Sequence, residues 1–105
     1  MSFLEQYFKY TDEYSEKYGS QTIVLMQCGA FFEVYGKKDK HGNISGSNII
    51  EYSHLTELKR VHKSPGHIMA GFRDYDIERY IKKLQDNGNT VVVFEEYDTA
   101  AEGTK

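Results

Sequence analysis

The run Thr22-Ile-Val-Leu-Met-Gln-Cys-Gly-Ala-Phe-Phe-Glu-Val-Tyr-Gly36 decides how this chain folds. Its first part, Thr22 to Met26, is short, apolar and rich in β-branched side chains, the composition of a buried strand. Three small residues, Cys28, Gly29 and Ala30, interrupt it, and Phe31-Phe-Glu-Val-Tyr35 resumes an extended pattern. Glycine inside such a pattern marks a bulge, a turn or close approach of another backbone. A hairpin places its tip near Gly29.

Working outward, Phe3, Tyr7, Tyr10, Tyr14 and Tyr18 recur at helical spacing. Ser2 is placed to N-cap this helix, with Glu5 at the capping-box position, and Gly19 to stop it. The tyrosines read as core packing with wet hydroxyls, not as ligands. Beyond the hairpin, Gly36 to Gly46 is polar and reads as an exposed loop. Ser47 to His54 reads as a short helix with Ile49, Ile50 and Ser53 facing inward. Leu55 to His62 alternates weakly and reads as a strand, and Lys63-Ser-Pro-Gly66 as a turn. His67 to Phe72 is a short apolar element, with Gly71 allowing a tight bend after it. The last helix is N-capped by Asp74, with Asp76 in its first turn and Lys82 and Lys83 near its end, as the helix dipole favours. Ile77, Tyr80, Ile81 and Leu84 mark its apolar face, and Asn87-Gly88 ends it. Thr90 to Phe94 reads as a buried strand. The order predicts an α+β fold, a small mixed β-sheet with packed helices. Residues 1–98 form the domain, and 99–105 read as a flexible tail or the start of a linker.

A length of 105 residues fits one domain with one modest core, not a core plus a large catalytic cleft. Nine Tyr and six Phe predict a core built from rings. The formal net charge of −3 lacks the basic footprint of a free-standing nucleic-acid binder. Position matters more than the sum. Glu5, Asp12, Glu13 and Glu16 lie near the start and Glu95, Glu96, Asp98 and Glu102 near the end. Lys37, Lys38, Lys40, Lys59, Arg60, Lys63 and Arg73 lie between, so the middle can present one basic face. The lone cysteine, Cys28, cannot form an intrachain disulfide, which fits a reducing, intracellular compartment. No apolar run reaches the roughly 20 residues that span a bilayer, and the N-terminus lacks the order of a signal peptide. No membrane partner is expected.

The chain carries no P-loop, nucleophile elbow or Cys-His signature. His41, His54, His62 and His67 are not at metal-ligand spacing, and one cysteine makes no zinc site. No cofactor, metal or enzymatic activity is expected in this domain. Glu95 and Glu96 end a strand, where neighbouring side chains point to opposite faces. What remains is Phe31-Phe32-Glu33. The two rings point to opposite faces, and Glu33 shares the face of Phe31. Periodicity does not say which ring is exposed, and an ordinary amphipathic strand accounts for both. An exposed ring beside an acid is nonetheless a tool for touching a DNA base, because an apolar wedge can unstack a base step from the minor groove.

The run Val24 to Gly36 resembles the Gly-Asp-Phe-Tyr-Glu segment of the N-terminal domain, domain I, of MutS mismatch-repair proteins. Ile68-Met-Ala-Gly-Phe72, the helix with Tyr80-Ile-Lys-Lys-Leu84, and Asn87-Gly-Asn-Thr-Val-Val-Val-Phe-Glu95 resemble that domain's Met-Ala-Gly segment, helix and closing strand. Phe3-Leu-Glu-Gln-Tyr7 resembles its opening helix. The resemblance covers most of residues 3 to 96 in order and is weak between 37 and 66. The wording of the motifs is most similar to the divergent branch of large DNA viruses and coral mitochondria. The resemblance implies a module binding double-stranded DNA with mismatches or small loops, within a MutS-like chain whose clamp and ATPase lie elsewhere. It implies that Phe31 stacks on a mispaired base, that Glu33 hydrogen-bonds it, and that Phe32 faces inward. Ala30 departs from the family's aspartate. A mispaired step is easier to unstack and bend, so a wedge costs less there. Lys37, Lys38, Lys40, Lys59, Arg60 and Lys63 are candidates for phosphate contacts. Two alternatives stay open: a protein-interaction module using the same exposed ring, which suits the negative charge, and a small metal-dependent nuclease using Glu33, Glu95 and a lysine. Steep weakening by salt distinguishes DNA binding from the first, and cleavage with magnesium supports the second.

Overall fold

The first helix begins where capping chemistry puts it. In the computed structural model, which describes residues 2–64 and 66–95, the Ser2 hydroxyl accepts from the Glu5 N–H and the Glu5 carboxylate accepts from the Ser2 N–H. Helix α1 then runs Phe3–Tyr18 and stops at Gly19, whose φ of 110° suits glycine. Its packing face is rotated from the simple tyrosine stripe. Tyr7, Phe8 and Thr11 are buried, Tyr10 and Tyr14 rest on Phe94, and Phe3 and Tyr18 are exposed.

Strands β1 (Thr22–Cys28) and β2 (Phe31–Lys38) form the expected hairpin, with Cys28 opposite Phe31. Gly29, first of the two turn residues, has φ 62°, as a II′ turn requires at that position. The polar run after Tyr35 is not simply a loop. Gly36 is buried within β2, and β3 (Ile44–Ser45) pairs back onto Lys37 and Lys38. Asp39 closes the connection by accepting from the N–H groups of His41 and Asn43.

Helix α2 (Ile49–Thr56) buries Ile49, Tyr52, Ser53 and Thr56, one face at helical spacing. That face excludes Ile50, expected inward but exposed. The expected strand from Leu55 to His62 gives way to the end of α2 and a connection. Glu57, at φ 62°, caps the helix, and β4 (Val61–Ser64) takes up only the last part. Pro65, in the expected turn, lies outside the described residues. Strand β5 (His67–Arg73) leads into a 3-10 turn, Asp74–Asp76, and then α3 (Ile77–Asp86). Asp76, not Asp74, is the N-cap of α3. The Asp74 N–H is held by the Ala30 carbonyl at 2.8 Å, so the α-helix starts only after the chain has left the hairpin. Asn87 and Gly88 end α3 as expected. Strand β6 (Thr90–Phe94) is half-buried rather than buried, because it lies at the sheet edge, parallel to β1. The expected tail and Glu96 fall outside the described residues.

The sheet order is β4-β5-β2-β1-β6, with β3 attached to β2. One parallel pair among antiparallel ones makes it mixed, and the fold is α+β. Strand alternation supplies two cores. Ile23, Leu25, Phe32, Val34, Ile68, Ala70 and Phe72 pack against α2 and α3 through Ile49, Tyr52 and Leu84. Val24, Tyr35, Met26 and Met69 pack against α1 through Tyr7 and Phe8. Rings dominate the core under α1, whereas the core under α2 and α3 is mostly aliphatic around a Phe32–Phe72–Tyr80 series with centroids 5.9 and 4.4 Å apart.

Two buried tyrosines give opposite expectations. Tyr7 donates to the Val24 carbonyl at 2.8 Å, whereas the buried Tyr52 hydroxyl has no hydrogen-bond partner among the described residues. Tyr7→Phe is expected to lower unfolding free energy by about 1 kcal/mol, and Tyr52→Phe to be neutral or stabilising. Urea denaturation measures both, and equal losses would contradict this account.

Candidate functional site

Adjacent residues of β2 divide between the two faces. Phe32 is 4% exposed, inside the core shared with α2 and α3, while Phe31 is 40% exposed. Phe31 lies on the α1 face but beyond the reach of α1. The helix covers Tyr35, whose ring meets Phe3 and Tyr7 edge-on at 5.5 and 5.1 Å. Phe31 is four residues further along the strand, roughly 13 Å away. Its cross-strand neighbours are Cys28 and Arg73, and the Arg73 guanidinium sits 4.9 Å from the ring centroid.

Beside the ring is a shallow cleft of about 270 Å³ lined by Phe31, Glu33, Lys59, Lys63, Met69 and Gly71. Glu33 stands opposite Gly71 on β5. A Cβ on Gly71 would lie 2.7 Å from the Phe32 carbonyl oxygen and 3.0 Å from Glu33 Cγ. Gly71 therefore serves close approach within a strand, not the expected bend, and it makes room for the acid. The Tyr35 hydroxyl donates to Glu33 Oε1 and lies 3.3 Å from Cys28 Sγ. Burial, reinforced by Cys28 and Glu33, pushes the Tyr35 pKa far above the usual tyrosine range, so the hydroxyl keeps its proton.

The expected basic residues fall into separate groups. Lys59 and Lys63 join Phe31 and Glu33 in the cleft. Arg60 lines a neighbouring hollow with His54 and Glu57 at the end of α2. Lys37 is at the far end of β2, its Nζ 5.0 Å from the Phe8 ring centroid. Lys38 Nζ is 2.9 Å from His62 Nε2, and Lys40 is exposed in the Asp39–Asn43 connection. Arg73 belongs with the site although sequence reasoning placed it only in the basic middle. Its signal is the register that sets it opposite Phe31, and no local pattern carries that. Glu95 follows β6, and β1 lies between β6 and the strand of Glu33. Among the described residues no three His, Cys, Asp or Glu side chains group as metal ligands, and no helix is long and apolar enough to cross a membrane.

The family described as MutS domain I matches residues 1–105. This chain belongs to the MutS domain I family. It is also 28% identical over 99 residues to a protein of Acanthamoeba polyphaga mimivirus named as a DNA mismatch repair MutS homolog. That match covers 86% of this chain and 8% of the relative, so the chain spans a small fraction of the relative's length. The viral branch suggested by the motif wording agrees with this relative. In this MutS domain I, the segment between 37 and 66, where the resemblance is weak, contributes β3, α2, β4 and two of the cleft's lysines.

The crowding at Gly71 is testable. Gly71→Ala is expected to cost about 1–3 kcal/mol of stability, because a backbone oxygen cannot give way as a side chain can. An unchanged urea midpoint would show that β5 shifts without cost.

Proposed function

We propose that this chain is the mismatch-sensing, DNA-binding domain of a MutS-like repair protein. In this reading Phe31 is the wedge, Glu33 the hydrogen-bonding partner of the mispaired base, and Lys59, Lys63 and Arg73 the phosphate contacts nearest the wedge. The observation that carries it is the exposed Phe31 ring beside Glu33, in a cleft rimmed by lysines, on β2 beyond the contacts that Phe3 and Tyr7 of α1 make with Tyr35.

The physical account follows from the parts. Stacking a ring on a base contributes roughly 1–3 kcal/mol and tolerates any base, since each has a π-face. Selectivity then comes mainly from the DNA, because a mispaired step bends and unstacks at lower cost. Glu33 adds a preference among bases by accepting from an N–H. The cations fix position and carry no sequence information. Lys37, Lys38 and Lys40, at the far end of β2, suit more distant phosphates if the duplex follows the sheet. This domain acts by binding, and any ATPase belongs to another part of the repair protein.

Phe31→Ala is expected to abolish the preference for mismatched over paired duplex while leaving the fold intact, as read by circular dichroism and fluorescence anisotropy. Loss of preference in Phe32→Ala with Phe31→Ala harmless would reverse the facing assignment. Arg73→Gln is expected to weaken binding to all duplexes and to reduce the slope of log K against log salt by about one. A slope unchanged from the parent would remove Arg73 from the phosphate contacts.

A further inference from the structure

The proposed reading uses Phe31 and Glu33, and leaves Tyr35 unused. Tyr35 shares their face of β2, two residues beyond Glu33. It is held from two sides. The rings of Phe3 and Tyr7 meet it edge-on at interplanar angles of 85° and 78°, so α1 fixes where its hydroxyl can point. That hydroxyl reaches two groups, Glu33 Oε1 and Cys28 Sγ. A carboxylate has no proton to give, so the direction of the chain is set: Cys28 S–H to the Tyr35 oxygen, and Tyr35 O–H to Glu33. Opposite, the bare backbone of Gly71 gives the Glu33 side chain its room.

We infer that Tyr35 is a positioning residue for base selection, holding Oε1 of Glu33 through its hydroxyl so that Oε2 is left as the acceptor for an N–H of the mispaired base. This rests on the proposed function. The consequence is chemical. A Glu side chain otherwise loses much of its rotamer freedom when it engages a base, and here much of that ordering precedes DNA. With one oxygen occupied, the carboxylate presents an acceptor and no donor. The bases it favours are those offering a ring or exocyclic N–H to the groove. A base edge with acceptors alone meets a like-signed partner. Replacing Glu33 by glutamine reverses the polarity in a defined way: the amide oxygen takes the Tyr35 proton, and the NH₂ donor is turned outward.

The test uses the protein as its organism makes it, with whatever flanks residues 1–105. Three duplexes are compared by anisotropy: fully paired, one with a mispaired thymine, and one in which that thymine is replaced by difluorotoluene, a shape mimic without the ring N–H. The parent protein is expected to bind the thymine duplex about tenfold more tightly than the mimic. Tyr35→Phe keeps the ring in its α1 packing. It is expected to shrink that ratio toward one while the Phe31-dependent preference for mismatched over paired duplex persists. Adding Glu33→Ala to Tyr35→Phe should change nothing further, since the two act on one interaction. Glu33→Gln, with Tyr35 intact, should also erase the thymine advantage over the mimic. Should Tyr35→Phe fail to fold by circular dichroism, Glu33→Gln still decides. A thymine-to-mimic ratio that survives either variant, or losses that add in the double variant, overturns the role of Tyr35. If the parent shows no preference for mismatched duplex, or Phe31→Ala keeps it, the parent reading falls and this inference with it.

Discussion

The alternation of side chains along β2 between two helix-covered faces governs the rest of the molecule. Phe32 and Val34 go to the core under α2 and α3, while Tyr35 goes under α1. A sheet covered on both sides can expose a large ring only where a cover runs out. Here α1 reaches Tyr35 and the strand continues to Phe31. The exposed ring is thus a result of helix placement, and burying one phenylalanine at full depth is what allows its neighbour to stand out on a rigid strand. A one-residue slip of β2 would exchange the two rings and carry Glu33 into the core. Seven consecutive pairs with β5 hold the register against that.

Local chemistry was legible in the sequence wherever it is self-contained. The capping box at Ser2 and Glu5, the glycine stop at Gly19, the hairpin at Gly29 and the apolar face of α3 all depend on residues within a few positions of one another. What failed depended on distant partners. Ile50 is more apolar than Tyr52, and only the placement of α2 on the sheet decides that Tyr52 is buried and Ile50 is not. The stretch from Leu55 to His62 mixes a helix end and a strand start, so neither period dominates it. Gly71 resembles a bend residue in isolation, because the carbonyl and the acid that require it come from β2. For the same reason, local sequence could not place Arg73 at the ring or group Lys59 and Lys63 with Glu33. Family resemblance ranked the two phenylalanines, which periodicity alone left equal.

Charge is distributed on a similar logic. A net charge of −3 coexists with a cleft whose rim carries Lys59 and Lys63 and whose exposed Phe31 ring has Arg73 over it. Glu5, Asp12, Glu13 and Glu16 are all on α1, which covers the other end of the same sheet face. Within the proposed reading, the acidic helix and the cationic rim orient the domain on a polyanion more than they add affinity.

The hydrogen bond from the Asp74 N–H to the Ala30 carbonyl has a mechanical meaning. A two-residue hairpin turn on its own is a compliant tip, free to fold back when its end is pushed. Here the turn is bolted to the junction of β5 and α3, and Leu84 of that helix is seated in the main core. A load applied at Phe31 passes across the turn into the helix and is spread through the core instead of flexing the tip. Within the proposed reading, a tip tied down in this way leaves more of the bending to the duplex.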